Sequence, residues 1–399
     1  MSYQWMKMAR SSTKRYPVLR RSFWTCLPLL LVMWPCVGTA SIGNIVKSDL
    51  QGNWQIALRG ITSCGFVDMQ ANVTLGSTGS GTGLLQTHGQ CGNSTLTGQS
   101  FSVTSLAANG AGTAALSCGT ACGWKFSIQV AADRSWFSLV DTTDTGQLLE
   151  GVGVLTSPNG NISTSDMRGS WQLTLYGVTG CGDSSLLVTF TLPTSGTTSN
   201  ATETGASSNC GVSTTSGQTF QITSMNANGS GTAGLSCGSG CGWTFNIQVS
   251  PDRSTFNLVD MNDPNNFLEG VAVNNSTAAK ISVANLSGSW ELALDGFTFP
   301  ENGLGDSTEM ATFTLNASGQ AINASGTFHT STGNFTFTNQ TFTIQSLNAD
   351  GSGTAIMSVG GSGAATPVFT IQVSPDRSTM NLVAVSNGGV LWEGTATHR

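Results

Sequence analysis

Apolar and polar residues alternate with a period of two through most of the chain. Trp54, Ile56 and Leu58 share one face of a segment, as do Phe126, Ile128 and Val130, and the same alternation returns twice further on. That period belongs to half-buried β-strands, whereas an amphipathic helix repeats near 3.6. Turn-forming residues separate the runs. Asn109-Gly110, Asn228-Gly229 and Asp350-Gly351 are hairpin signals, because these residue types accept the positive φ of a tight turn. The first third of the chain predicts eight strands, near 53–59, 69–76, 82–87, 100–106, 112–118, 123–130, 135–141 and 147–155. No window reads as a helix.

The pattern is written three times. Gly52-Asn53-Trp54-Gln55-Ile56-Ala57-Leu58 returns as Gly169-Ser170-Trp171-Gln172-Leu173-Thr174-Leu175 and as Gly288-Ser289-Trp290-Glu291-Leu292-Ala293-Leu294. Asp133-Arg134-Ser135 recurs as Asp252-Arg253-Ser254 and Asp376-Arg377-Ser378. Leu149-Glu150-Gly151 recurs as Leu268-Glu269-Gly270 and Trp392-Glu393-Gly394. Repeats of about 115 residues can each bury a core, so tandem domains are expected at 48–156, 165–275 and 284–399, as beads and not as a solenoid. Most connections are hairpin-length, and none requires a Greek-key crossover. The expected fold is all-β: three tandem eight-stranded antiparallel meander barrels, with immunoglobulin-like β-sandwiches as the alternative. Closure would remove exposed strand edges.

A Gly-x-Trp opening the first strand of an eight-stranded meander resembles the calycin group, the lipocalins and avidins. The residues that carry it are Gly52-Asn53-Trp54, Gly169-Ser170-Trp171 and Gly288-Ser289-Trp290. The resemblance implies a barrel able to hold a small ligand in its mouth. In lipocalins an arginine on the last strand packs over that tryptophan; here the last strand offers Glu150, Glu269 or Glu393. No avidin-type set of biotin-binding residues is present either.

The first 40 residues change the charge picture. Lys7, Arg10, Lys14, Arg15, Arg20 and Arg21 precede an apolar run from Phe23 to Val37 and the small residues Gly38-Thr39-Ala40, the order of a secretory signal peptide over 1–40. Its removal leaves nine of the 15 basic residues against all 21 acidic ones, moving the formal net charge from −6 to −12. An acidic exported chain has no electrostatic reason to bind nucleic acid or anionic lipid, and no transmembrane span is expected after processing. With charged residues at only 9% and Gly at 50 of 399, a highly charged disordered chain is a poor fit.

Candidate chemistry is sparse. Cys64, Cys91, Cys118 and Cys122 in the first copy match Cys181, Cys210, Cys237 and Cys241 in the second, while the third has none. Export favours disulfides. The expected pairs are Cys64–Cys91 with Cys118–Cys122, and Cys181–Cys210 with Cys237–Cys241, with a four-cysteine zinc site as the rival. By parity, Glu150 shares its face with Val152 and Val154, and Glu269 with Val271 and Val273, a face expected to be the barrel interior. Glu150, Glu269 and Glu393 are therefore candidate ligand-binding carboxylates. Arg134, Arg253 and Arg377 are expected at the opposite end, over Trp54, Trp171 and Trp290, by cation–π contact or as solvated turn residues. Three histidines, His88, His329 and His398, do not repeat per domain, which excludes a repeated catalytic triad. No catalytic residue, cofactor or metal is expected; acidic loops such as Asp141-Thr142-Thr143-Asp144 fit no EF-hand.

These features describe an exported, non-enzymatic β-repeat protein with a binding or spacer role. Its Ser-, Thr-, Asn- and Gln-rich outer faces suit contacts with carbohydrate or a surface protein, and a small apolar ligand is the further partner expected. Two alternatives stay open: a small-molecule carrier with a ligand in each barrel, and a hydrolase using a strand glutamate.

Overall fold

The computed structural model describes residues 44–117, 123–141, 147–158, 160–236, 242–263, 265–275, 280–298, 305–330, 333–358, 366–385 and 390–399. The expected signal peptide over 1–40 and the close cysteine pairs Cys118, Cys122 and Cys237, Cys241 lie outside them. Three closed antiparallel barrels of eight strands each follow one another, every strand paired with its neighbours in sequence and the last with the first. The first strands are Gly52–Thr62, Gly169–Thr179 and Gly288–Thr298; the last are Leu148–Leu155, Phe267–Asn275 and Val390–His398. Closure runs in register from Trp54↔Leu155 to Ile61↔Leu148 in the first barrel, and from Trp290↔His398 to Thr298↔Val390 in the third. The meander barrel is therefore the fold, and the sandwich alternative is overturned by the pairing of first and last strands. No helix among the described residues is long and apolar enough to cross a membrane.

Each barrel has a separate apolar core built from the inward parity of its strands. Trp54, Ile56, Leu58 and Leu149 belong to the first, Trp171, Leu173, Leu175 and Leu268 to the second, and Trp290, Leu292, Leu294 and Trp392 to the third. The Gly-x-Trp motif closes the barrel base. A short 3₁₀ turn precedes each first strand, Lys47–Leu50, Thr164–Met167 and Val283–Leu286. Its last side chain is fully buried, and its last carbonyl accepts the indole N–H of Trp54, Trp171 or Trp290 at 2.8 Å. The alternation pattern missed these turns, although Ser163 with Asp166 and Ser282 with Asn285 have the spacing of a capping box, and both boxes form.

The Asp-Arg-Ser turns lie at the base, as expected. Arg134, Arg253 and Arg377 adopt left-handed backbone at φ 63°, 64° and 67°. The preceding aspartate offsets that cost by accepting the N–H two residues on, at 3.2 Å from Ser135 and 3.1 Å from both Ser254 and Ser378. Arg134 reaches Asp49 at 3.1 Å and Arg253 reaches Asp166 at 3.6 Å, which ties the turn to the 3₁₀ segment. The tryptophan rings meet Phe137, Phe256 and His398, with centroids 4.7, 4.9 and 4.6 Å apart.

The barrels are more than beads on a string, because equivalent residues of all three copies meet one another. Gln55 donates to Asn257 at 3.5 Å, and Gln172 donates to Asn381 at 3.4 Å. Ala131, Trp136, Val152 and Val154 of the first barrel share an apolar cluster with Val271 and Val273 of the second. Residues 42–399 form a single compact unit, with the three barrels set around a common axis.

Candidate functional site

The three strand glutamates mark that axis. Glu150, Glu269 and Glu393 are 2%, 3% and 2% exposed, and one carboxylate oxygen from each lies within 4.8 Å of the others. The expected alternation holds, but the face is reversed. Leu149, Leu268 and Trp392 point into the lumens, while the glutamates, with Val152 and Val154 after Glu150 and Val271 and Val273 after Glu269, point between the barrels. Both faces of the last strand are buried, so apolar parity alone could not tell lumen from axis.

Burial without solvation disfavours charge on all three acids. Desolvation, then Glu393 and Asp295, push Glu150 well above its usual value; desolvation, then Glu150 and Glu393, do the same to Glu269. Desolvation carries Glu393 to about 8 against a hydrogen bond from Thr174 Oγ1 to its Oε1 at 2.5 Å. Glu269 Oε1 has no hydrogen-bond partner.

The adjoining layer holds the residue five positions after each tryptophan: Arg59, Tyr176 and Asp295. Arg59 donates to Asp295 at 2.5 Å, and its guanidinium lies 4.2 Å from the centre of the Tyr176 ring. Each of the three comes from a different barrel, so this cluster joins all of them. Desolvation works against the Arg59 charge, but Asp295 and its neighbours outweigh it and raise the Arg59 pKa. Burial raises Asp295 even beside that partner. The three positions align by repeat register, yet their chemistry differs completely, which is why the sequence pattern did not single them out.

A second site lies in the mouth of the second barrel, a part-open cavity of about 560 Å³ beside the Cys181–Cys210 disulfide. Leu186 and Trp243 supply its apolar wall, and Gly205 faces Leu186, whose Cδ2 a Cβ there would meet at 2.7 Å. Glu203 is on the inward parity, opposite the core residue Val188. Its Oε2 has no partner, and burial raises its pKa. The first barrel has fully buried Leu85 at the matching register position, paired with Ala71. The third barrel carries its own inward acid one strand earlier: Glu309, opposite Leu294, is 1% exposed with both oxygens unpartnered. Parity with Ala201 and with Ala311 and Phe313 would have found both.

The sequence also marked the cysteines. Cys64–Cys91 and Cys181–Cys210 form as expected, with Cα atoms 5.4 and 5.5 Å apart. They join the first and third connections at the mouth, away from the Asp-Arg-Ser end.

No family model matches the sequence, and no curated protein is found to resemble it. Among solved structures, the chain is similar to CghA in complex with Sch210972, at 9% identity over 86% of each chain and a TM-score of 0.21. It is similar to isotype 1 transferrin binding protein B of serogroup B Neisseria meningitidis, at 10% identity over 84% of this chain and 66% of that one, with a TM-score of 0.26. A DUF3598-family protein of unknown function from Nostoc punctiforme matches at 11% identity over 60% of this chain and all of that one, with a TM-score of 0.20. Likeness at this level carries no functional argument; the barrel architecture rests on the strand pairing itself.

Proposed function

We propose an exported, non-enzymatic binding protein in which the mouth of the second barrel receives a small, partly apolar ligand bearing a basic or hydrogen-bond-donating group. The cavity beside Trp243 and Leu186, with the unpartnered Oε2 of Glu203 among the residues that line it, carries this reading. An apolar pocket with few convergent polar groups is the usual form of a small-molecule site. The calycin resemblance agrees with a ligand in the mouth. The two disulfides agree with an oxidising compartment, and residues 1–40 with export. The carrier role narrows to one barrel, and the axial glutamates have no part in it.

Hydrolysis is not favoured by the cavity wall. Ser184 shares a hydrogen bond with Thr179 at 2.9 Å, and Ser207 donates to the Gly211 carbonyl at 3.4 Å, so neither is set against a general base. A second reading, carbohydrate or surface-protein contact, draws on an open groove of about 1140 Å³ on the second barrel, lined by Thr189, Thr191, Ser199 and Asn200 among others.

The test is native mass spectrometry of the secreted form against small amphiphilic amines. One ligand per chain is expected, weakened roughly tenfold or more by Glu203→Gln and abolished by Gly205→Leu, which fills the cavity. Absence of binding by every amine, or binding unchanged in Gly205→Leu, would overturn the proposal.

A further inference from the structure

We propose that Glu150, Glu269 and Glu393 form a buried calcium site on the axis between the three barrels. The donors are all oxygen, one carboxylate from each barrel, with Thr174 Oγ1 held against Glu393 at 2.5 Å. Hard oxygen sets of this kind suit calcium, whereas zinc prefers nitrogen and sulfur. Ligand oxygens all within 4.8 Å of one another can surround an ion that takes oxygens at roughly 2.3–2.6 Å.

A cluster of acids is not a site by its geometry alone, and two further observations point to a ligand. Glu269, whose carboxylate stands within the cluster, has its Oε1 fully buried with no hydrogen-bond partner. Such an atom costs stability unless something binds it. The neighbouring cation does not supply that partner: Arg59 donates through Nη1 to Asp295 at 2.5 Å, and its buried Nε makes no hydrogen bond. The second observation is the pattern along the axis. The adjoining layer has diverged to Arg59, Tyr176 and Asp295, and the next to Asp68, Ser185 and Thr308, each set aligned by strand pairing. Only the glutamate is kept in all three copies among these layers. Pairwise packing does not require three carboxyl groups at one point; a shared cation gives them a common partner.

The axis also carries a ring of exposed aspartates, Asp133, Asp252 and Asp376, at the Asp-Arg-Ser end. Two of these are satisfied locally by Ser254 and Ser378, and Asp133 by Ser135, so they serve as the control.

The experiment is calorimetric titration of calcium chloride into the full secreted chain after chelator treatment, with thermal unfolding recorded in parallel. One calcium per chain is expected, with a rise in Tm as calcium exceeds its Kd. The triple variant Glu150→Gln, Glu269→Gln, Glu393→Gln should lose binding and the Tm response. The triple variant Asp133→Asn, Asp252→Asn, Asp376→Asn should keep both. If the glutamine triple does not fold, Glu269→Gln alone is expected to weaken binding roughly tenfold or more. No calcium taken up by the folded wild-type chain, even when refolded in its presence, would overturn the site. So would affinity unchanged in the folded glutamine variants, or affinity lost in the asparagine variant.

Discussion

The last strand of each barrel buries both of its faces, and the two faces bury different things. Toward the lumen lie Leu149, Leu268 and Trp392, each part of the apolar core of its own barrel. Toward the axis lie Glu150, Glu269 and Glu393; the first two are followed by valines of the cluster shared by the first and second barrels, and Glu393 by the buried Thr395 and Thr397. The lumen side stabilises one barrel by removing apolar area from water. The axis side holds three barrels together through groups that are costly to bury and therefore must be matched, Arg59 with Asp295 above all. Loss of a lumen contact should stay within its barrel, while loss of an axial partner should be felt in all three.

Substitutions can break that contrast. Arg59→Leu leaves Asp295 buried and unpaired and should cost about 3–5 kcal/mol in chemical denaturation. Adding Asp295→Asn should return part of that loss, because the stranded charge is removed. Trp171→Ala should cost a similar ~3–5 kcal/mol through the cavity it leaves, with no rescue from any axial change. A smaller effect is expected at the mouth. Cys181→Ala with Cys210→Ala should lower stability by about 2–4 kcal/mol and spare the axial contacts.

The smallest effect tests the lumen rule from its exception. Glu309 stands where the other barrels have Met69 and Leu186, each paired with the leucine that follows the tryptophan by four. Glu309→Met should therefore stabilise the protein at neutral pH by about 1–3 kcal/mol. Desolvation raises the Glu309 pKa well above 4.5, so its folded state favours the proton. Its contribution is best below the unfolded value and is lost as pH rises through the folded one. The advantage of Glu309→Met should accordingly shrink as pH falls toward 4.5, followed as ΔTm against pH.

The same contrast explains what could be read from the residues alone. Strand parity, hairpin turns and the threefold repeat of Gly-x-Trp led to closed meander barrels, because each is a local consequence of side-chain period and backbone φ. The Cys64–Cys91 and Cys181–Cys210 pairs followed from the same topology. Parity also placed Glu150, Val152 and Val154 on one buried face. It could not say what buried it, since a lumen and a neighbouring barrel both favour valine. Arg59, Tyr176 and Asp295 were hidden for a different reason: their partnership exists only when three unlike residues, each from its own repeat, are brought to one point. Inward Glu203 and Glu309 share the parity of core residues, but neither is repeated in the other copies, so the threefold pattern does not mark them.

Hydrogen–deuterium exchange on Arg59→Leu tests the shared axis most directly. The account predicts lost protection in Gly169–Thr179 and Gly288–Thr298 as well as in Gly52–Thr62, since the guanidinium touches residues of all three strands. Exchange that rises only within the first barrel, with the other two first strands protected as in the wild type, would contradict it.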